Sequence, residues 1–314
     1  MVTPLKVPNF NVILAEKVGI LQCIPMCLHD CRKLNVRMLH LLNNMSKVGL
    51  RLVVVFFLGV CFCIYGVNKY RSAKARSVSI MGYTSDAKNA IPKYAQRLIL
   101  AYPDFQLRYD NNHIVFRDGV KILCDDGRKK TFIKKLDDCD IEDMFSMPYN
   151  SKAFSPEYLS DCGRGRCEQL FKKMYGNSAE VVRRNLVTVD WFGEKVQFTK
   201  INGANKQLEK VAKELSGLPD MKKYLKSSGT FYWRKVRGAN RQSAHSYGIA
   251  FDIGVKYSNY WLWTNPGAKE TDRIKYENRI PMEIVKVFEK HGFIWGGRWY
   301  HYDTMHFEYR PELL

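Results

Sequence analysis

After Cys167 the sequence contains no further cysteine, although it has nine in all. Sites built from several thiolates, such as zinc fingers, are therefore excluded from the C-terminal part of the chain. Any zinc site in that part must use histidine and carboxylate ligands. Near the N-terminus, Cys23, Cys27, His29 and Cys31 lie close together, but their spacing matches no usual zinc pattern.

Four cysteines in the middle of the chain form an even set, which permits two disulfides if the protein lies outside the cytosol. They are Cys124, Cys139, Cys162 and Cys167. Cys162 and Cys167 bracket a Gly-Arg-Gly-Arg segment and could close a short loop. Free buried thiols are an equally good interpretation of the same residues.

Acidic residues are scarce: 31 Asp and Glu stand against 50 Lys and Arg, for a net charge of +19. The excess lies in residues 1–80, with 11 basic and 2 acidic side chains, and in residues 200–314, with 20 and 12. No nucleic-acid motif accompanies this charge, so we predict no nucleic-acid partner. Attraction to an anionic membrane or envelope surface is a simpler account, and scattered solvated lysines are another.

Long hydrophobic runs are also scarce. Residues 52–67 form an uncharged run of about 16 residues, slightly short for a membrane-spanning helix and slightly long for a signal-peptide core. Basic residues flank it on both sides. We interpret residues 45–76 as an uncleaved signal-anchor that places the following chain outside the cytoplasm; a cleaved signal and a buried core helix are the alternatives. Residues 1–44 are an uncertain extension, and Met45 is a possible true start.

Two short motifs near the end of the chain contain residues suited to metal-dependent hydrolysis. Residues 243–252 read S-x-H-x-x-G-x-A-x-D, and residues 303–308 read D-x-x-H-F-E. A catalytic zinc site commonly has three protein ligands, and a nearby carboxylate can take a proton from water. The histidines His245 and His306 and the carboxylates Asp252 and Asp303 supply such a set.

Both motifs contain an alternation of residue types that is typical of half-buried strands. The alternation over residues 250–253 predicts that Asp252 lies on the opposite face from Phe251. Over residues 305–308 it predicts that His306 and Glu308 share the site face, while Met305 and Phe307 enter the core. Gly248 is expected at the turn that precedes the first strand.

The full motifs, S-A-H-S-Y-G-I-A-F-D and W-Y-H-Y-D-T-M-H-F-E-Y, resemble those of the D-alanyl-D-alanine carboxypeptidase family of zinc peptidases. That family includes vancomycin-resistance carboxypeptidases and phage L-alanyl-D-glutamate endolysins. The resemblance implies that His245, Asp252 and His306 bind Zn²⁺. It also implies that Asp303 is the general base, as in the endolysin-like branch.

The same resemblance implies an arginine, upstream of the first motif, that binds the substrate carbonyl. Arg234 occupies the expected position, and Arg237 and Arg241 are nearby alternatives. Further residues are predicted to bind substrate or to orient the ligands, and these are Ser243, Tyr247, His301 and Glu308.

The resemblance is specific over residues 186–314 and looser from about residue 100. It implies an α+β fold of the Hedgehog/DD-peptidase type, with an antiparallel sheet that carries zinc on one face. We expect this catalytic domain at residues 186–314 and an accessory α+β region at residues 77–185. Residue patterns predict helices over 94–102, 205–215 and 281–290 and hairpins over 113–123 and 186–198.

The predicted function is zinc-dependent hydrolysis of peptide bonds in the stem peptides of peptidoglycan. The enzyme would be a D-Ala-D-Ala carboxypeptidase or an L-Ala-D-Glu-type endopeptidase, and the sequence does not decide between them. One alternative is a non-catalytic, zinc-containing envelope protein that binds peptidoglycan. Another is a zinc hydrolase that cuts the amide bond between sugar and peptide.

Overall fold

Three antiparallel sheets and seven helices make up the described part of the computed structural model, residues 90–153 and 155–314. The strands are β1 (Arg108–Asp110), β2 (His113–Val115), β3 (Lys121–Leu123), β4 (Leu186–Trp191), β5 (Glu194–Thr199), β6 (Ser227–Gly229), β7 (Ala250–Ile253), β8 (Phe293–Trp295) and β9 (His306–Tyr309). The helices are α1 (Lys93–Ala101), α2 (Phe132–Asp137), α3 (Glu168–Tyr175), α4 (Ala179–Arg183), α5 (Ala204–Leu215), α6 (Trp261–Thr264) and α7 (Met282–Lys290).

The sheets have the strand orders β1-β2-β3, β4-β5 and β6-β7-β9-β8, and every pairing in them is antiparallel. This mixture of helices with antiparallel sheets confirms the α+β class. The predicted helices correspond to α1, α5 and α7, and the predicted hairpins correspond to the β2–β3 and β4–β5 pairs.

Local sequence explains why these elements form where they do. In α5 the buried side chains Leu208, Val211 and Leu215 recur at helical spacing along one face. The β4–β5 hairpin turns over Phe192 and Gly193, which have φ values of 47° and 91°. Two consecutive positive φ angles give a tight turn whose twist matches that of the flanking strands.

The third sheet packs one face into the core. Phe251 of β7 lies against Trp191, with ring centroids 4.6 Å apart, and Phe307 of β9 stacks on Phe288 of α7 at 3.9 Å. Because strand residues alternate between faces, the neighbours Asp252 and His306 point to the other side of the sheet. Core burial of two phenylalanines thus determines which face carries the polar motif.

The described residues, 90–153 and 155–314, belong to one compact unit. Its main hydrophobic core contains side chains of α1, such as Leu98, together with side chains of β7 and α7. The accessory and catalytic regions therefore share packing, and the boundary at residue 186 stays a prediction.

The predicted extension over residues 1–44 and the predicted signal-anchor over residues 45–76 lie outside the described residues. Within residues 90–153 and 155–314, no helix is both long enough and apolar enough to cross a membrane. In that same part of the chain the four cysteines, Cys124, Cys139, Cys162 and Cys167, are free thiols. Of the two interpretations left open by the sequence, the structure has the one without disulfides.

Candidate metal centre

Two predicted ligands lie on neighbouring strands at the centre of the third sheet. Asp252 of β7 and His306 of β9 are direct cross-strand partners. Cross-strand partners point to the same face and have Cβ atoms about 5 Å apart. His306 Nδ1 is 3.0 Å from Asp252 Oδ1, so the pairing register alone brings these two side chains together.

His245 reaches the same point from a short 3-10 turn, Ala244–Tyr247, which Gly248 ends with φ 67°. A Cβ atom at Gly248 would lie 2.5 Å from Leu186 Cδ2, so both backbone conformation and space require glycine. His245 Nδ1 donates a hydrogen bond to the carbonyl oxygen of Thr230 at 2.6 Å. This bond leaves Nε2 as the free ligand atom, 3.2 Å from Asp252 Oδ2.

The ligand atoms of His245, Asp252 and His306 all lie within 4.8 Å of one another. Burial alone would lower the pKa of His306, but hydrogen bonds to Asp252 and Glu308 outweigh it and raise the pKa to about 10. The same histidines more than offset the effect of burial on Asp252 and lower its pKa. The site therefore favours positive charge, as a cation site must.

Asp303 lines the same cleft as these three residues, close to the turn that leads into β9. Its backbone carbonyl accepts a hydrogen bond from the backbone N–H of His306 at 3.2 Å. Its carboxylate atom Oδ1 is buried and has no hydrogen-bond partner among the described residues. Burial, and then the charge of Asp252, raise the pKa of Asp303 to about 7.

Glu308 lies behind His306 and is fully buried. Its Oε2 is 3.4 Å from His306 Nε2, and its two oxygens accept hydrogen bonds from Arg310 at 3.0 Å and Arg166 at 3.4 Å. Burial would raise the pKa of Glu308, but Arg166, His306 and Arg310 lower it to about 2. The ionised carboxylate holds the His306 ring with Nδ1 toward Asp252.

The three predicted ligands and Asp303 line a cleft of about 560 Å³. Its basic lining consists of Arg164, Arg166, Arg234, Lys235, Arg237 and Arg241. Its aromatic lining consists of Tyr260, Trp261, Trp263 and Trp299. Arg164, Arg166 and Arg241 pair with carboxylates of the chain, so Arg234, Lys235 and Arg237 are the basic side chains available to an anionic ligand.

The other predicted site residues divide between the cleft and the core. Arg234 and Ser243 line the cleft, and the backbone N–H of Ser243 donates to the Arg234 carbonyl at 3.0 Å. The Arg234 side chain is exposed, with one guanidinium bond to the Lys235 carbonyl at 3.3 Å. Tyr247 does not line the cleft, because its ring packs in the core against Phe171 at 5.6 Å.

His301 lines the cleft and is held by a carboxylate that sequence reasoning did not identify. Its Nδ1 donates to Asp161 Oδ2 at 2.6 Å, and its backbone N–H donates to Asp161 Oδ1 at 3.0 Å. Arg164 pairs with Asp161 and forms bonds of 2.8 and 3.0 Å to Glu270. Burial would raise the pKa of Asp161, but Arg164 and His301 lower it to about 2.

Asp161, Arg164 and Arg166 were missed as site residues because the groups they contact are distant in sequence. The separation is 140 positions for Asp161 and His301, 106 for Arg164 and Glu270, and 142 for Arg166 and Glu308. Their only signal was the motif D-C-G-R-G-R, in which two glycines separate the charges. A Cβ at Gly163 would lie 2.4 Å from Ile294 Cδ1, and one at Gly165 would lie 2.9 Å from the Lys135 carbonyl oxygen. The two glycines thus allow the loop to pack closely against its neighbours, which places Arg164 and Arg166 in the cleft lining.

The donor set fits a divalent transition metal. Two imidazole nitrogens and one carboxylate oxygen are the ligands that zinc takes in catalytic sites. The other nitrogen of each imidazole is held, by Thr230 for His245 and by Glu308 for His306. Such bonds orient metal-binding histidines in known sites.

Comparison with known proteins bears on the same residues. A family model described as D-alanyl-D-alanine carboxypeptidase matches residues 237–309. The matched segment contains His245, Asp252, Asp303 and His306, and it excludes Arg234 and the loop with Arg164 and Arg166. Comparisons with curated proteins and with solved structures gave no match. For residues 237–309, the resemblance seen in the sequence is confirmed.

Proposed function

We propose that this chain, whose residues 237–309 match a family model described as D-alanyl-D-alanine carboxypeptidase, is a zinc-dependent peptidase acting on the stem peptides of peptidoglycan. The observation that carries the proposal is the convergence of His245, Asp252 and His306 within 4.8 Å, with Asp303 in the same cleft. Three ligands and a neighbouring base are the minimum set for metal-assisted hydrolysis.

Metal binding and proton transfer are assigned to different residues of the cleft. Zinc, when bound by His245, Asp252 and His306, supplies Lewis acidity that lets a water molecule lose its proton near neutral pH. Asp303 accepts that proton and later gives it to the leaving amine. Its raised pKa suits this role, because a base works best when its pKa is near the operating pH.

Arg234 is proposed to bind the substrate carbonyl oxygen as negative charge develops there. Its support is its place in the cleft lining and its nearly free guanidinium group. Ser243 would orient the substrate or the turn that carries His245. Glu308 would keep His306 in its ligand orientation through the contact at Nε2.

The proposed partner is a peptidoglycan peptide, and the proposed location is the cell envelope, outside the cytoplasm. The exposed basic side chains of the cleft, Arg234, Lys235 and Arg237, suit a substrate that carries carboxylates. The uncharged run over residues 52–67 supports a membrane anchor, and its cleavage would give a secreted protein. No nucleic-acid partner is proposed.

The test uses the purified full chain, loaded with zinc and incubated with muropeptides, with and without a chelator. Mass spectrometry of the products identifies the bond. Loss of a terminal D-alanine indicates a carboxypeptidase, and a cut closer to the sugar indicates an endopeptidase. Cleavage must stop with the chelator and return with added zinc.

Two outcomes would redirect the proposal. A chelator-sensitive cut between sugar and peptide would make the protein a zinc amidase of the cell wall. If a folded, zinc-loaded sample cleaves no bond, the protein is not a peptidase, and the non-catalytic peptidoglycan-binding module becomes the better account.

A further inference from the structure

His301 has one ring nitrogen that no hydrogen bond satisfies. His301 is 1% exposed, and within the described part of the chain no group hydrogen-bonds its Nε2. Glu270 Oε2 lies 3.5 Å from Nε2 without forming a hydrogen bond to it, and this oxygen already accepts one from Arg164. Most buried polar atoms in folded proteins do have a partner, so each exception calls for an explanation. Because His301 lines the same cleft as the metal-binding residues, a bound ligand is a natural partner.

Hydrogen bonds and aromatic contacts fix the orientation of the His301 ring. Asp161 accepts hydrogen bonds from both the backbone N–H and Nδ1 of His301. Trp261 packs edge-on against the imidazole with centroids 4.6 Å apart, and Phe132 lies at 5.7 Å. The buried Asp161 carboxylate thus fixes the imidazole while it also pairs with Arg164, and carboxylates of this kind orient histidines that have a chemical role.

A second metal ion does not explain this cluster. Ligand atoms of Asp161, Glu270 and His301 do lie within 4.8 Å of one another. However, the Arg164 guanidinium already pairs with both carboxylates, at 2.8 Å to Glu270 and in direct contact with Asp161. A cation placed there would meet the positive charge of Arg164 without free carboxylate oxygens to offset it.

We infer that His301 is a substrate-contacting residue, whose Nε2 hydrogen-bonds the backbone of the peptide held in the cleft, and that Asp161 is its positioning residue. This inference rests on the proposed peptidase function. A peptide backbone presents both N–H donors and C=O acceptors, so it can satisfy Nε2 in either protonation state. His301 lines the same cleft as the proposed base Asp303 and the metal-binding residues, so a peptide held there can reach its Nε2.

The test compares two substitutions in the zinc-loaded full chain with a muramyl-pentapeptide that ends in D-Ala-D-Ala. His301→Asn keeps an amide near the Nδ1 position, within reach of Asp161, but has nothing at the Nε2 position. His301→Gln places its amide near Nε2. We expect kcat/KM to fall at least about tenfold in the Asn variant and to recover in part in the Gln variant, with zinc content unchanged.

His291→Asn is the matched control, because His291 pairs with Glu214 at 3.0 Å and does not line the cleft. It should leave kcat/KM unchanged. If His301→Asn cleaves the peptide within twofold of the wild-type rate, or if Gln is no better than Asn, His301 does not contact the substrate.

Peptide binding gives a readout that does not depend on turnover or on the folding of a His301 variant. In the full Asp303→Asn chain with ¹⁵N-labelled histidine, titration with the pentapeptide should shift the His301 Nε2 resonance and leave that of His291 unchanged. Binding without a His301 shift would overturn the inference. Binding by a wild-type chain that cleaves nothing would overturn the peptidase proposal and still leave the His301 contact testable.

Discussion

At the scale of single residues, Glu308 connects a proposed zinc ligand to two buried arginines. Replacement of Glu308 by Gln removes the charge that faces His306 Nε2 at 3.4 Å. Loss of such a supporting carboxylate commonly lowers metal affinity by about 10- to 100-fold. We expect that range for zinc, measured by competition with a chelator of known affinity.

Glu289→Gln is the control for this change, because Glu289 pairs with Arg298 and Tyr149 away from the cleft lining. It should bind zinc like the wild type. Equal affinities of the Glu308→Gln and wild-type chains would show that the contact at Nε2 does not orient His306.

The arginine that binds the substrate can be identified by a matched pair. Arg234 and Arg237 are both exposed and both line the cleft, so neither substitution disturbs the core. We expect Arg234→Ala to lower kcat by about 100-fold, the usual cost of losing one oxyanion donor. Arg237→Ala should change kcat little. If the two effects are reversed in muropeptide assays, the carbonyl-binding role belongs to Arg237.

At the scale of structural elements, the turn that carries His245 depends on Gly248. Gly203, which precedes α5, has nearly the same backbone, with φ 66° against 67°. A Cβ at Gly203 meets nothing within 4 Å, whereas one at Gly248 lies 2.5 Å from Leu186 Cδ2. Ala substitutions at these two positions therefore separate backbone strain from steric overlap.

We expect Gly203→Ala to cost about 1 kcal/mol of the free energy of unfolding, from left-handed strain alone. Gly248→Ala should cost about 1–3 kcal/mol more, because a packed core resists an added methyl group. Denaturant unfolding of both variants measures the difference. Equal losses would mean that Leu186 moves away easily and that the turn is not fixed by this contact.

The sequence predicted the elements of the site better than its surroundings. Alternation over residues 250–253 predicted β7, and the spacing of apolar residues predicted α5 and α7. These signals are local, so they are visible in one stretch of sequence. The core position of Tyr247 was not predicted for the opposite reason: it comes from packing against Phe171 in α3, which no local pattern reveals.

At the scale of the whole molecule, the site draws on residues outside the matched family segment. Asp161, Arg164 and Arg166 come from a loop before α3, and Glu308 joins Arg166 to Arg310 near the end of the chain. The pairs of Arg166 with Glu308 and of Asp161 with His301 join residues about 140 positions apart. The packing of the shared core brings these distant residues together, so local sequence patterns could not predict the ion pairs.

The ionisation of two fully buried carboxylates, Glu308 and Asp161, makes the free energy of unfolding depend on pH. Their pKa values are about 2 in the folded protein, against ordinary values of 4.5 and 3.8. The stability that their ionisation contributes is present above the ordinary values and is lost as pH falls toward 2. Asp303 has a raised pKa and stays protonated in the folded protein over this range. Its small destabilising effect, from ionisation in the unfolded state near pH 4, disappears as pH falls and opposes the larger loss from Glu308 and Asp161.

We therefore expect the free energy of unfolding of the chelator-treated protein to fall by at least about 2 kcal/mol between pH 4 and pH 2. Denaturant unfolding at constant ionic strength measures this change. A free energy that stays constant or rises over this interval would contradict the ion pairs assigned to Glu308 and Asp161.

The most direct test of the account is to measure bound zinc and muropeptide turnover together in the Asp303→Asn variant. Asp303 is proposed as the base and not as a ligand, so the variant should hold as much zinc as the wild type. Its turnover should fall by about 100- to 10,000-fold, the usual range for loss of a general base. Turnover at the wild-type rate, with zinc retained, would contradict the proposed mechanism.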